Sequence, residues 1–225
     1  RDWTKISPAI FGSMFQSVRD ATTRRELGEH YTSEENILKT LEPLFLDELR
    51  AEFEHVKTLG KYEADRLRKL REKLGRIRYM DPACGCGNFI IVAYRELRDL
   101  ELAILERLRE INVDKGSIGS GDALLLANVD LKVTLDHFYG IEIDEWPARI
   151  AETAMFLIDR QCDLKLTASL GWAPDRLPIQ EQATIVVGNA LTTDWATVMP
   201  PSADAIVAGN PPFLGISLRS AEQTA

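Results

Sequence analysis

Apolar positions along the chain fall into two rhythms. Short apolar runs near residues 77–81, 137–143, 184–188 and 205–209 predict four core strands. Between and before them, apolar residues recur every three to four positions. Phe11, Met14, Phe15 and Val18 form one helical face behind Ser7-Pro8, a helix-start pair. Ile37, Leu38 and Leu41 form a second; Thr32 and Glu35 stand at capping-box spacing before it, and Pro43 is expected to break or kink it. Leu67, Leu70 and Leu74 mark a third. From Phe89 through Ala93, Leu97, Leu100, Ile104 and Leu108 to Ile111 the helical period lasts about six turns, longer than an α/β crossover needs. Pro147, Ala151, Ala154, Met155 and Ile158 predict another helix, on which Cys162 reads as a small buried hydrophobe. Strands alternating with helices predict an α/β fold with a mainly parallel sheet, preceded by a helical part over residues 1–75.

The joint between the first strand and the long helix carries the first candidate chemistry. Tyr79 and Met80 run into Asp81, then Pro82-Ala83-Cys84-Gly85-Cys86-Gly87-Asn88, and Phe89 opens the helix. Two glycines allow a sharp turn, and backbone N–H groups at a helix N-terminus can face a bound molecule. A dinucleotide fingerprint would place a third small residue where Ile90 stands. Glu142 ends the second strand beside this turn, where a carboxylate can accept both hydroxyls of a ribose. It lies 57 residues after Gly85 rather than about 20, so Asp144 and Asp122 remain rivals. Asn189, after the third strand, can offer a partner either its amide oxygen or its NH2.

Composition narrows the field. No stretch has the roughly 18 apolar residues of a membrane span and no signal-peptide pattern opens the chain, so a cytoplasmic protein with no membrane partner is expected. Cys84, Cys86 and Cys162 are an odd set without C-x-x-C spacing, which argues against a disulfide framework and against a metal site. The formal net charge of −8 is unlike a nucleic-acid binder's basic footprint. Lys57 to Arg78 runs the other way, with nine cations against three acids, a local +6. That run reads either as a solvated helix face or as a contact for DNA phosphates. The opening Arg1-Asp2-Trp3, without Met, gives the expectation that the chain is an excerpt of something larger.

Taken in order, GEHYTSEENI, DPACGCGNF, GIEID and GNPPF resemble the amino-group DNA methyltransferases that use S-adenosylmethionine. The phrases PAIFGSMFQS, GIEIDEWPARIAETAMFL and SAEQTA look more narrowly like the MmeI type of combined restriction-modification enzyme, so the resemblance spans nearly the whole chain. It implies a Rossmann-like class I methyltransferase fold, of which about four core strands are present. Residues 76–225 would be a partial cofactor-binding catalytic domain, and residues 1–75 a helical segment with the Gly28–Thr32 motif and a basic insert. By this resemblance Tyr31 and Thr32 sit over the methionine end of the cofactor. Asp81, Ala83, Cys84, Gly85, Gly87, Asn88 and Phe89 form its cradle, Glu142 and Ile143 hold its ribose and adenine side, and Asn189 and Ala190 its adenine. Asn210 and the Pro211 carbonyl would accept the two hydrogens of a target amine, Pro211 and Pro212 holding that carbonyl in place, and Phe213 would stack on a base extruded from the duplex.

The implied reaction is transfer to the N6 amine of adenine in double-stranded DNA. A C-terminal recognition domain would read the sequence, and an endonuclease would be fused or associated. Cytosine N4, RNA guanine N2 or protein glutamine are alternative acceptors, and a cofactor-binding fragment without activity is the non-enzymatic alternative; the excerpt by itself is expected to be inactive.

Overall fold

The structure, a computed structural model, describes residues 32–114, 130–171 and 182–211. The helix expected after Ser7, the loop from Lys115 to Gly121, Asp122, and the residues Tyr31, Pro212 and Phe213 lie outside the described residues.

Four strands form one parallel sheet in the order β3-β2-β1-β4. They are β1 (Arg78–Asp81), β2 (Phe138–Glu142), β3 (Thr184–Val187) and β4 (Ala205–Val207). The chain steps outward from β1 to β3 and then returns to β1's other side, so the reversal of strand order falls between β1 and β4; open α/β sheets bind ligands outside the carboxyl ends of their strands at such reversals. Register brings Asp81 level with Gly140 and Glu142 level with Val187.

The helices are α1 (Glu34–Leu41), α2 (Asp47–Val56), α3 (Glu63–Leu74), α4 (Asn88–Asp114), α5 (Glu145–Leu170) and the single-turn α6 (Trp195–Val198). The apolar faces of α1 to α5 meet one side of the sheet: Ile37, Leu41, Leu67, Leu70, Ile90, Tyr94 and Ala151 share a core with Tyr79 and Phe138. The other side buries Met80, Tyr139 and Ile141 under Val198 and Met199. Successive residues Tyr79 and Met80 therefore enter opposite layers, as strand pleating requires.

Two local expectations are corrected. Ser33, not Thr32, caps α1, its hydroxyl accepting from Asn36 N–H; the cap lies one residue later, which leaves the Thr32 hydroxyl free for another partner. Pro43 does not break the helix. The chain passes through a π turn, Glu42–Leu46, straight into α2, because widening the turn accommodates a residue without an N–H.

Carboxylates largely neutralise the basic run. Lys57 pairs with Glu54, Arg68 with Asp65, Arg71 with Glu101, Lys73 with Glu48 and Glu52, and Arg76 with Asp204. With Leu67, Leu70 and Leu74 buried, α3 is a packing helix whose charges tie it to its neighbours. Deeper in, Arg98 of α4 reaches Asp163 and Asp159 of α5, and Glu101 takes the backbone N–H groups of Lys132 and Val133. Such buried pairs hold α4 in place behind the glycine turn, and breaking one would strand a charge.

Candidate functional site

The β1–α4 turn is built by backbone economy. Ala83 N–H donates to Asp81 Oδ1 (3.0 Å), Cys84 N–H to the Ile141 carbonyl (3.0 Å), Gly85 N–H to Glu142 Oε2 (2.9 Å) and Gly87 N–H to the Cys84 carbonyl (2.8 Å). The expectation that the turn's N–H groups face a ligand is corrected at these four positions, which bond within the fold. Glycine is needed at two of them for different reasons. Gly85 has φ 53° with open space where a Cβ would stand, so the chain is bare there. Gly87 has φ 84°, and a Cβ there would come within 2.9 Å of Ala151 Cβ, so its absence lets α5 close on the turn. At the start of α4, Asn88 Oδ1 is buried without a hydrogen-bond partner among the described residues. Cys84 is buried, and that burial, reinforced by the Asp81 and Glu142 carboxylates, pushes its thiol pKa well up. It is a packing thiol rather than a nucleophile.

Of the two rival carboxylates among the described residues, Glu142 and Asp144, Glu142 is the one on the turn, with Oε2 on Gly85 N–H and Oε1 on Asp144 N–H (2.9 Å each). Asp144 caps α5 through Trp146 N–H (3.1 Å). Beyond Glu142, Ile143 is 64% exposed. Next to it, Gly188 N–H reaches the Glu142 carbonyl (2.8 Å), bringing Asn189 to the same end of the sheet. Asn189 Oδ1 accepts from Leu191 N–H (3.0 Å) and the Ala190 carbonyl from Trp195 Nε1 (2.8 Å), so both residues are braced by their own loop. Leu191 is 77% exposed. Exposed Ile143, Trp146 and Leu191 supply apolar surface at the strand ends that pattern reading did not single out beyond Ile143.

The β4 end is held at three points. Ala208 N–H donates to the Met80 carbonyl (3.0 Å), and the hydroxyl of buried Tyr79 donates to the Ala208 carbonyl (2.8 Å). Gly209 lies against the Asp81 carboxylate, into which a Cβ would run. Asn210 Nδ2 then donates to Thr32 Oγ1 (2.8 Å), joining residues 178 apart in sequence. Gly209 thus seats on Asp81 while its neighbour Asn210 reaches Thr32, which brings three motifs to the carboxyl ends of β1 and β4. Tyr79 and Gly209 are the site residues the local pattern does not reveal. Asp81 itself is 2% exposed; burial raises its pKa to about 7, against the opposing Ala83 hydrogen bond and with a contribution from Glu142. Gly209→Ala is expected to cost about 2 kcal/mol by overpacking against Asp81. Thermal melts of the two proteins read this loss.

A parallel 3-2-1-4 sheet with this glycine turn, strand-end carboxylate and Asn-Pro corner defines an α/β Rossmann-like methyltransferase fold. The chain belongs to the family of the MmeI DNA-methyltransferase domain, whose family model matches residues 56–225. It is 37% identical over 225 residues to DNA methyltransferase A of Bacillus subtilis, covering 98% of this chain and 24% of that protein. A putative type II restriction enzyme and methyltransferase of Methanocaldococcus jannaschii is 32% identical over 92 residues, 40% of this chain and 7% of that protein. Among solved structures, the Type IIL restriction-modification enzyme MmeI in complex with DNA matches with a TM-score of 0.80 at 42% identity, over 98% of this chain and 28% of that one. The chain therefore spans about a quarter of the length of its best-covered relatives.

Proposed function

We propose that this chain is the cofactor-binding and catalytic part of a restriction-modification DNA methyltransferase acting on the N6 amine of an adenine flipped out of the duplex. The observation that carries the reading is the hydrogen bond from Asn210 to Thr32 beside the seat of Gly209 on Asp81, in a member of a DNA-methyltransferase family.

S-adenosylmethionine suits the residues present. The buried, unpartnered Asn88 Oδ1 lacks a donor, the Gly85 backbone is open, and the buried Asp81 carboxyl lacks a counter-charge that an ammonium group would supply. Under this reading Asp81, Ala83, Cys84, Gly85, Gly87, Asn88 and Phe89 cradle the methionine portion, and Tyr31 and Thr32 cover its carboxylate. Glu142 takes the ribose, while Ile143, Asn189 and Ala190 line the adenine. When bound, the cofactor supplies an activated methyl group on a sulfonium.

The chain's own task is to make a poor nucleophile reactive. The lone pair of an exocyclic amine is delocalised into its ring, and acceptors on both N–H groups draw the nitrogen toward tetrahedral geometry. Asn210 Oδ1 and the Pro211 carbonyl are those acceptors, and no strong base is required. Phe213, behind Pro212, stacks on the extruded base. Duplex DNA is read by other parts of the larger protein, which also carries or recruits a nuclease, and the enzyme works in the cytoplasm. Among the described residues no helix is long and apolar enough to cross a membrane.

The test is methyl transfer from labelled S-adenosylmethionine to mixed-sequence duplex DNA by the full-length protein, followed by nucleoside digestion. Label in N6-methyladenine is expected. Label confined to N4-methylcytosine, RNA or protein would overturn the assignment of the acceptor.

A further inference from the structure

The Thr32–Asn210 contact does more than join two ends of the chain. An asparagine amide is planar, with an acceptor on one arm and a two-hydrogen donor on the other, so an unrestrained amide can present either arm. Activation of an amine demands the oxygen; the NH2 arm would meet the amine's hydrogens with its own. In the structure Nδ2 donates to Thr32 Oγ1 at 2.8 Å, which turns Oδ1 the other way.

A threonine hydroxyl can accept or donate, so by itself it does not dictate which arm it meets. Its proton decides. If the hydroxyl donates to a carboxylate, it has only lone pairs left to offer, and Asn210 must then present its NH2. We infer that Thr32 is a positioning residue that sets the orientation of the Asn210 amide, and that the cofactor's carboxylate fixes the direction of this hydrogen-bond chain. The order is Asn210 Nδ2–H to Thr32 Oγ1, then Thr32 O–H to carboxylate, leaving Asn210 Oδ1 for the target amine. Occupancy of the cofactor site thereby orients the acceptor used on the other substrate. The inference rests on the roles proposed above for Asn210 and for the Thr32 end of the cofactor site.

Two features separate this role from simple scaffolding. The loop backbone is already held by the Tyr79–Ala208 hydrogen bond and by the seating of Gly209 on Asp81, so Thr32 is not needed to keep the corner in place. Thr32 is also not the helix cap, since Ser33 performs that task. Its hydroxyl is left for Asn210.

The experiment compares the full-length protein with Thr32→Val, which keeps the branched shape without the hydroxyl, and Thr32→Ser, which restores it. Methyl transfer to duplex DNA is measured across S-adenosylmethionine concentration. Thr32→Val is expected to lower kcat roughly tenfold even at saturating cofactor, with Thr32→Ser recovering most of the loss and melting temperatures unchanged. A Thr32→Val enzyme whose kcat recovers fully at saturation would reduce Thr32 to a cofactor contact and overturn the inference. A second arm uses Asn210→Asp, whose carboxylate presents oxygen in either orientation. Activity retained by that variant should be insensitive to added Thr32→Val, and an undiminished tenfold loss there would also overturn the inference. If Asn210→Asp leaves nothing to measure, the split between kcat and KM and the serine rescue decide alone. Full activity in Asn210→Ala would instead strike down the underlying role of Asn210, so the two failures are distinguishable.

Discussion

Asn210→Ala is expected to lower the rate of methyl transfer by roughly 10²–10³-fold while leaving cofactor affinity within severalfold of the parent protein. The size follows from the difference between ground and transition states. In the resting base the amine nitrogen is nearly planar and its N–H groups are weak donors. As the nitrogen attacks, positive charge develops on it, and each N–H bond to an acceptor strengthens. Under the proposed roles, Asn210, held by Thr32, and the Pro211 carbonyl, restricted by the proline ring, would need little reorganisation when that charge appears. Losing one of two such acceptors should affect kcat and kcat/KM together.

The fold should tolerate the truncation. Ala208 remains bound to Met80 and Tyr79, and half-buried Thr32 can turn to water in place of Nδ2. Single-turnover rates at saturating cofactor, alongside cofactor titrations, separate the possibilities. An unchanged rate would place amine activation elsewhere, and a collapse of cofactor binding would make Asn210 a structural member of the pocket.

Legibility in the sequence followed the range of the interactions involved. The four strands and the long helices are written in local periodicity, and all four strands fall where the apolar runs predict them, with β4 ending at Val207 rather than 209. The glycine turn was legible for the same reason: Gly85 and Gly87 act through their own φ angles. What the pattern concealed is contact over distance. Nothing local distinguishes Tyr79 from another core aromatic, yet its hydroxyl braces a carbonyl 129 residues away. The glycine at 209 belongs to a recognisable motif, but its reason for being glycine is Asp81, on another strand. The misplaced cap has a related origin. Thr32 and Ser33 are both competent N-caps, and the choice between them is made by the backbone of α1, while Asn210 takes the hydroxyl that remains. Likewise, the N–H groups of Cys84 and Gly85 looked available because their acceptors, Ile141 and Glu142, lie on β2.

Asp81→Asn is expected to stabilise the cofactor-free protein at pH 8, weaken its hold on S-adenosylmethionine, and abolish the pH dependence of that binding. Burial raises the Asp81 pKa from 3.8 to about 7. A carboxyl whose pKa is higher folded than unfolded contributes most to stability below the unfolded value, and that contribution is lost as pH rises through the folded value. Above pH 7 the native state therefore carries a buried carboxylate that costs up to about 4 kcal/mol relative to low pH. The neutral amide of asparagine avoids this cost and can keep the acceptor for Ala83 N–H. Its stabilising effect should accordingly be large at pH 8 and fade as pH falls toward 4.

Under the proposed binding of S-adenosylmethionine, the same linkage gives the carboxylate its use. An ammonium group beside Asp81 favours the ionised form, so binding the cofactor releases the carboxyl proton when that proton is present. Below pH 7 the affinity of the parent protein should then fall by up to about tenfold per pH unit. The α-amino group of an amino acid stays protonated below roughly pH 7.7, so the window from pH 5 to 7 isolates Asp81 from the cofactor's own titration. Calorimetric titrations across that window, with melting curves at pH 5 and 8 for both proteins, test the two halves together. Equal stability gains at both pH values would deny Asp81 its raised pKa. Parent-protein binding that does not change with pH would remove Asp81 as the counter-charge, because a carboxyl that must ionise to bind a cation cannot do so without a proton appearing in the balance.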